Sequence, residues 1–487
     1  MSASSQFLDA ARQKAGDLRH RAVIQKAIGA YDAKVGEGKA RFTDWQNARA
    51  IAAGRKWDAI NHLDRYLEQF ERTVIANGGQ VHWAEDSAQA RQIVLDLARQ
   101  RGVRKVVKSK SMVTEEIHLN DALEGAGIHT VETDLGEYIC QIRGEPPYHI
   151  VTPVMHLTKG DIAQTFHDKL GTPLTDSAEE LTMIARARLR QEFVTADMGI
   201  TGANFLVADT GMIAITENEG NARLSFSLPR IHVAITGLEK IIPRFEDLAL
   251  LWPLLSTSGT GQSLTVYNSL VSGPRPGGEF HVILLDNGRT RLLADAEQRD
   301  ALHCIRCGAC LNVCPVYKNI GGHSYGTTYQ GPIGSVITPH LRGTQEWSHL
   351  SYASSLCGAC TDVCPVKIDL HHHLLHNRRN AVRQQFDNPL QRLAFRLWLW
   401  TMQSPGRYRL AGKFAALAGH LGFKPPRHFP MPTGATFRQW WAHEQTHGGP
   451  ASPGGPASPG GPSVPARPGP STSARGDART TGHGGES

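Results

Sequence analysis

Seven of the eight cysteines fall between positions 304 and 364, in two groups whose spacing leaves few folds open. The first group is Cys304-x2-Cys307-x2-Cys310-x3-Cys314-Pro315, and the second is Cys357-x2-Cys360-x3-Cys364-Pro365. A loop with three cysteines at the first spacing wraps three corners of a [4Fe–4S] cubane. The cysteine after x3 points away and ligates a second cluster. Proline directly after it suits the first position of a helix, where a missing N–H costs nothing. Two such motifs therefore exchange their trailing cysteines. Cluster one is assigned Cys304, Cys307, Cys310 and Cys364, and cluster two is assigned Cys314, Cys357 and Cys360. Zinc ribbons also use paired C-x2-C motifs, but zinc has no use for a third cysteine at this spacing or for the trailing Cys-Pro.

Cluster two lacks a fourth cysteine. In register with the first motif that position is Ser354. A serine alkoxide, the distant Cys140, or a labile corner giving [3Fe–4S] would each complete the account, and the sequence leaves the three open. Forty-two residues separate Cys314 from Cys357, far more than in a compact bacterial ferredoxin. An α-helical, two-cluster ferredoxin module fits best, with one-electron transfer as its function.

Eight cysteines in 487 residues are too few for a disulfide scaffold, and reduced thiols at metal-ligand spacing suit the cytoplasm. With 40% hydrophobic residues the chain is not wholly disordered, and a net charge of +7 does not by itself imply nucleic acid. Residues 1–19 form a charged amphipathic segment without the apolar stretch of an export signal. The longest uncharged run, 248–274, is interrupted by Pro253 and by the polar stretch 256–262, short of the roughly 20 apolar residues of a membrane span. These features predict a soluble, cytoplasmic, multidomain protein.

Five segments follow from the pattern. Residues 1–76 read as helical, with Ile51, Trp57, Ile60, Leu63, Leu67 and Phe70 at helical spacing over 48–72. Residues 77–294 alternate strands and helices in the manner of an open, mostly parallel α/β sheet. Strands are expected at 80–83, 105–107, 128–131, 138–142, 204–207, 212–215, 231–235 and 280–285, with helices at 88–100 and 115–123. The ferredoxin-type module spans 295–375. A basic helical region covers 376–445, where residues 376–430 hold ten Lys/Arg against the single acid Asp387. Its core, Leu393-Ala-Phe-Arg-Leu-Trp-Leu-Trp400, reads first as a packed helix, then as a docking surface for an acidic partner, then as a peripheral membrane contact over 393–415. Nucleic acid is not expected, since no recognised motif accompanies the charge. The tail 446–487 repeats Ala-Ser-Pro-Gly-Gly-Pro and cannot bury enough apolar surface to order itself.

Polar residues gather at the ends of the predicted strands. Lys108-Ser-Lys-Ser111 lies between a strand and a helix and reads equally as an anion-binding loop or a capped turn. Thr133-Asp-Leu-Gly-Glu137 and Thr216-Glu-Asn-Glu-Gly220 each follow a strand, where the ligand crevice of an open α/β sheet lies. Lys108, Lys110 and Glu217 form a candidate carboxylate site. The Gly-rich 256–262 matches no nucleotide fingerprint. His149 and His156 flank an expected strand and read as structural.

Four stretches then carry a resemblance. Lys110-Ser-Met-Val-Thr-Glu-Glu-Ile-His-Leu-Asn120, Glu132-Thr-Asp-Leu-Gly-Glu-Tyr138, Thr201-Gly-Ala-Asn-Phe-Leu-Val-Ala-Asp-Thr-Gly211 and Glu217-Asn-Glu-Gly-Asn221 resemble the lactate utilization protein B family, in the same order and over about residues 40–435. The resemblance implies a lactate-utilization α/β domain joined to a two-cluster ferredoxin module. Its ligands carry over to Cys304, Cys307, Cys310, Cys314, Cys357, Cys360 and Cys364, with three cysteines in the second motif as here. It implies a subunit of a cytoplasmic complex oxidising L-lactate to pyruvate. The expected partners are a cysteine-rich iron–sulfur subunit and a second protein with the same α/β domain. The α/β domain also resembles the sugar-phosphate isomerase and CoA-transferase group, in which a Glu-Asn-Gly turn carries a nucleophilic glutamate. Here Glu219 stands between Asn218 and Gly220.

Overall fold

The computed structural model describes residues 2–384 and 389–420, and it divides into a unit ending at Asn388 and a second beginning at Pro389. The larger unit is built on six parallel strands. In chain order its strands are β1 (Gln80–Ala84), β2 (Lys105–Lys108), β3 (His129–Glu132), β4 (Met198–Thr201), β5 (Phe205–Val207), β6 (Met212–Glu217), β7 (Ile231–Gly237), β8 (Ile241–Ile242), β9 (Tyr267–Val271) and β10 (Glu279–Leu285). The main sheet runs β1-β10-β7-β4-β2-β3, every pair parallel, as the mostly parallel α/β reading requires. All seven residues of β7 and all four of β4 are buried, because helices cover both faces. At Gly199 in β4 a Cβ would stand 1.7 Å from the Ser225 carbonyl oxygen, so the helix Asn221–Ser227 lies directly on the strand.

A second sheet, β8-β5-β6-β9, mixes parallel and antiparallel pairs and was not anticipated as a separate layer. Of its strands, β8 and β9 lay outside the expected set. β8 is two residues long, and Tyr267-Asn-Ser-Leu-Val271 buries only Val271, so the apolar signal is weak.

Several expectations need correction. Residues 138–142 belong to the helix Leu135–Arg143 and not to a strand. The Asp134 side chain accepts the Glu137 N–H at 3.0 Å, and this cap starts a helix that buries Tyr138, Ile139 and Cys140. A short apolar run of this kind is ambiguous by periodicity alone. The helix expected at 115–123 is two helices, Met112–Glu116 and Leu119–Gly125, broken where His118 takes φ 51°. The helix expected over 48–72 likewise breaks at His62 into Trp45–Asn61 and Leu63–Ala76, with Ile51 and Trp57 exposed. No strand lies between His149 and His156. There the His149 Nδ1 accepts the Val151 and Thr152 N–H groups and folds the backbone into a turn.

The N-terminal helices tie the sheet to the cysteine loops. Arg49 Nε donates to the Cys364 carbonyl at 2.9 Å, and the buried Lys56 ammonium donates to the Glu239 and Ile241 carbonyls at 2.6 and 3.1 Å. Pro253 does not end the run it occupies, because the helix Leu248–Thr260 continues through it. Among the described residues no helix is long and apolar enough to cross a membrane. Helix Leu370–Arg383 continues through position 376, where the basic region is expected to begin, and belongs to the larger unit.

The second unit holds the helices Pro389–Met402 and Pro405–His420, with the Arg407 guanidinium 4.5 Å over the Trp400 ring. Leu393, Phe395, Leu397, Trp398, Leu399 and Trp400 are all exposed, so the first reading of this segment, a packed helix, is not what the structure holds. The tail expected at 446–487 lies outside the described residues.

Four buried histidines give the larger unit a pH dependence. Burial pushes His149 and His232 down to about 3, and His20 and His303 down to about 4. His232 shows the reason: its Nε2 meets the Thr201 hydroxyl at 2.8 Å and its ring stacks 5.1 Å from Phe280, so a charged imidazolium would lose its hydration. The unfolded chain takes up these protons near pH 6.5 and the folded chain does not. Stability is therefore full above 6.5 and falls as pH drops toward 4, by up to about 1.4 kcal/mol per pH unit for each histidine. Urea unfolding of His232→Gln across this range is expected to show a shallower slope than the parent, and an unchanged slope would refute the assignment.

Candidate metal centre and adjoining cavity

Each cysteine motif is a loop followed by a short helix, Ala309–Val313 and Ala359–Val363. Gly308 and Gly358 take φ 82° and 80°, which lets the chain turn between Cys307 and Cys310 and between Cys357 and Cys360. Cys314 and Cys364 then stand in extended backbone after these helices, and Pro315 opens the next helix after Cys314.

The loops meet. Cys304, Cys307, Cys310 and Cys364 line one small cavity, closed by the apolar side chains of Ile150, Ile305, Ile333, Val366 and Ile368. The Cys304 Sγ accepts the Arg306 N–H and the Cys364 Sγ accepts the Ile368 N–H, each at 3.4 Å. Burial pushes Cys364 up to about 12 and raises Cys307 and Cys310 further. Thiols so placed ionise only when a cation compensates them, which suits four iron ligands in a dry, N–H-lined pocket.

Cys314, Cys357 and Cys360 form the other group and act on one another electrostatically. Burial raises Cys314, and Cys360 to about 11, while the Ala359 N–H lowers the exposed Cys357. The Ser354 hydroxyl lies on the same segment and accepts the Leu356 N–H at 3.1 Å. Cys140 is buried on the helix Leu135–Arg143 with its thiol toward the Pro153 carbonyl, and the charged groups around it are Glu145, Glu137, Asp134 and Glu115, with no other cysteine among them.

A larger cavity of about 290 Å³ lies beside the first group, with Cys307 and Arg306 in its wall. It opens at the carboxyl ends of the parallel strands: Ser109–Ser111 follow β2, Asp134 follows β3, Gly202–Asn204 follow β4, and Lys240 comes soon after β7. Residues Thr216 to Glu219, at the end of β6, line it as well. Helix Leu248–Thr260 supplies a third side. A Cβ on Gly259 would stand 2.7 Å from the Cys307 carbonyl oxygen, and Asn312 Nδ2 donates to the Gly259 carbonyl at 3.3 Å. The Gly-rich stretch at 256–262 thus serves close packing against the cysteine loop.

The carboxylate site expected from Lys108, Lys110 and Glu217 is only partly present. Lys108 is fully buried and points away from the cavity to Thr114, Glu115 and Glu132, at 2.8, 3.1 and 2.7 Å. Burial works against its charge, but Glu132 and Glu115 overcome that and raise it. Beside them burial, with Glu132 next, raises Glu137 well above the ordinary carboxyl range, and neither of its oxygens has a partner. Lys108 is a structural cation in an acidic cluster. Lys110 does line the cavity, its ammonium donating to the Val151 carbonyl at 2.6 Å. Glu217 is committed to the N–H groups of Ala222 and Arg223 at 2.7 and 2.9 Å. Glu219 lines the cavity with its side chain exposed to solvent and accepts the Leu135 N–H at 3.0 Å, while partial desolvation of its carboxyl and then Asp134 raise it.

Lys240 and Arg306 were missed. Arg306 sits inside the first cysteine motif with φ 61°, stacks 4.4 Å from the Tyr329 ring and holds Glu239 at 3.2 Å. Lys240 is 6% exposed, lines the cavity and makes no hydrogen bond or ion pair among the described residues. A basic residue between two cluster cysteines was the one visible signal, for Arg306; Lys240 offered none.

A LUD domain matches residues 67–292 and a 4Fe-4S dicluster domain matches residues 300–368, so fold and site together define an iron–sulfur protein built on a LUD domain. Lactate utilization protein B from Shouchella clausii is 42% identical over 85% of this chain and 91% of its own. The protein of that description from Bacillus subtilis is 41% identical over 84% and 90%. An Escherichia coli K12 protein described as uncharacterized electron transport protein YkgF is 39% identical over 87% and 94%. The chain belongs to the lactate utilization protein B family.

Proposed function

We propose that this protein is the iron–sulfur electron-transfer subunit of a cytoplasmic complex that oxidises L-lactate to pyruvate. Cys304, Cys307, Cys310 and Cys364 hold one [4Fe–4S] cluster, and Cys314, Cys357 and Cys360 hold the second, with Ser354 on the same segment as its missing fourth ligand. The observation that carries the reading is the convergence of Cys364 with the first motif around one cavity, beside a larger polar cavity at the strand ends. Each cluster, when bound, supplies one-electron transfer, so two together match the electron pair that lactate gives up with two protons.

The chain's own residues support the clusters in three ways. Arg306 and Lys240 place positive charge beside Cys304, the apolar wall excludes water, and Arg49 braces the Cys364 loop. The partners are a cysteine-rich iron–sulfur subunit and a second protein with the same α/β domain, as the family resemblance implies.

The test is anaerobic. L-lactate is added to the reconstituted holoprotein, alone and with the partner subunits, while visible absorbance and EPR follow the clusters. Reduction of the clusters when the partners are present is expected. Pyruvate formation with clusters that stay oxidised would overturn the electron-transfer role.

A further inference from the structure

We propose that the 290 Å³ cavity is a binding site for a small 2-hydroxy or 2-oxo carboxylate, with Lys240 and Arg306 receiving the carboxylate and the Glu219 wall receiving the 2-oxygen. This inference deepens the reading above and rests on it for the substrate class.

Lys240 is the starting point. A buried ammonium is costly unless it is paired, and those in native interiors are held by carboxylates, carbonyls or ligands. Lys56, its neighbour in the interior, donates to two carbonyls. Lys108 has two carboxylates and a hydroxyl. Lys240 makes no hydrogen bond or ion pair among the described residues; of its anionic neighbours, Glu239 is already taken by Arg289 and Arg306, and Cys304 belongs to the first cysteine group. Arg306 lines the same cavity, with its Nη2 on Glu239 and its buried Nη1 without a partner among the described residues. Lys240 and Arg306 thus share the wall of one cavity with Lys110, whose ammonium donates to a carbonyl. An anion completes this set.

The acidic part of the lining sets the class of anion. Thr216, Asn218 and Thr260 are engaged with Asn268, Gln262 and Ser256, while Glu219 spends one oxygen on the Leu135 N–H and keeps the other for an oxygen on the carbon next to the carboxylate. A plain aliphatic acid would leave it facing a methylene. A site built to hydrogen-bond a substrate oxygen discriminates strongly against the analogue that lacks it. The cavity volume is at the small end of ligand sites, which favours an acid of a few carbons. Cys307 in the same wall places such a ligand at the edge of the first cysteine group.

The experiment uses the full-length, cluster-loaded protein under anaerobic conditions. Calorimetric titration with pyruvate, L-lactate and propionate is expected to give binding of the first two and at least ~10-fold weaker binding of propionate. Lys240→Gln is expected to weaken pyruvate binding by ~10-fold or more at unchanged iron content. An unaltered pyruvate affinity with a shifted cluster EPR spectrum would make Lys240 a counter-ion of the cluster only, and would overturn the proposal. Should Lys240→Gln fail to fold, the parent protein still decides, because pyruvate in the cavity is expected to perturb the EPR signal of the neighbouring cluster. No heat and no EPR change at millimolar pyruvate would sink the idea. Clusters reduced by partner-driven lactate turnover without carboxylate binding here overturn this inference and leave the relay intact. Carboxylate binding beside clusters that never change redox state does the reverse.

Discussion

Cys364→Ser is expected to halve the iron content and remove the EPR signal of cluster one, while the cluster at Cys314, Cys357 and Cys360 remains. The chain position of Cys364 puts it beside Cys357 and Cys360, so a reading by proximity in sequence predicts loss of the second cluster instead. The fold says otherwise: Cys364 follows its short helix in extended backbone, and its thiol faces the cavity lined by Cys304, Cys307 and Cys310. Its carbonyl is anchored by Arg49 and its sulfur by the Ile368 N–H, so the loop stays in place when the sulfur is changed. Serine keeps the size but offers a hard, weakly acidic oxygen where a buried iron requires a thiolate. Cys357→Ser is the control, expected to spare cluster one. Iron analysis and EPR on the two variants check the assignment, and loss of both clusters or of neither in Cys364→Ser contradicts it.

The second large effect lies away from the cysteines. Arg289 is almost wholly buried and joins three elements: its guanidinium forks onto Glu116 at 2.9 and 2.8 Å and its Nε meets Glu239 at 2.6 Å. Glu116 also accepts the Tyr329 hydroxyl at 2.6 Å, and Glu239 also holds Arg306 of the cysteine loop. Burial opposes the charge on Glu239, but Arg289 and then Arg306 hold it down to about 2, so it is ionised at neutral pH. Arg289→Met leaves two buried carboxylates short of their main partner. The expected cost is about 3–5 kcal/mol in urea unfolding, the range for breaking one side of a buried ion pair. Glu239 then swings on Arg306 alone, so the cluster one EPR signal is expected to broaden as its loop loses its support. Arg289→Lys keeps the charge but not the fork, and is expected to fall between the two. A loss below about 1 kcal/mol in Arg289→Met would mean that the network contributes little.

How far the sequence could be read depended on how local the cause was. The parallel sheet was legible because β7 and β10 are buried on both faces and so appear as largely apolar runs, whereas the four-residue β4 lay outside the expected strands. The helix at Leu135–Arg143 was not, since Tyr138-Ile-Cys-Gln-Ile142 is too short to separate the two periods and its start rests on a single capping aspartate. In the cavity, Lys110 and Glu219 were within reach of strand-end reasoning, whereas Lys108 looked equally eligible and turned out to be committed to Glu132 of β3 and Glu115 of the Met112–Glu116 helix.

The chain by itself determined the iron–sulfur chemistry, because ligand spacing within a loop is set by a few covalent bonds and backbone turns at Gly308 and Gly358. It also carried the class of the sheet, through burial that shows in composition. Tertiary structure alone decided which distant groups meet where no motif spacing speaks: Arg289 with Glu116 and Glu239, and Lys240 with an open cavity. The reason is that charge and burial at these positions come from elements brought together across the fold. A lysine reads the same in sequence whether its partner is two carboxylates or none.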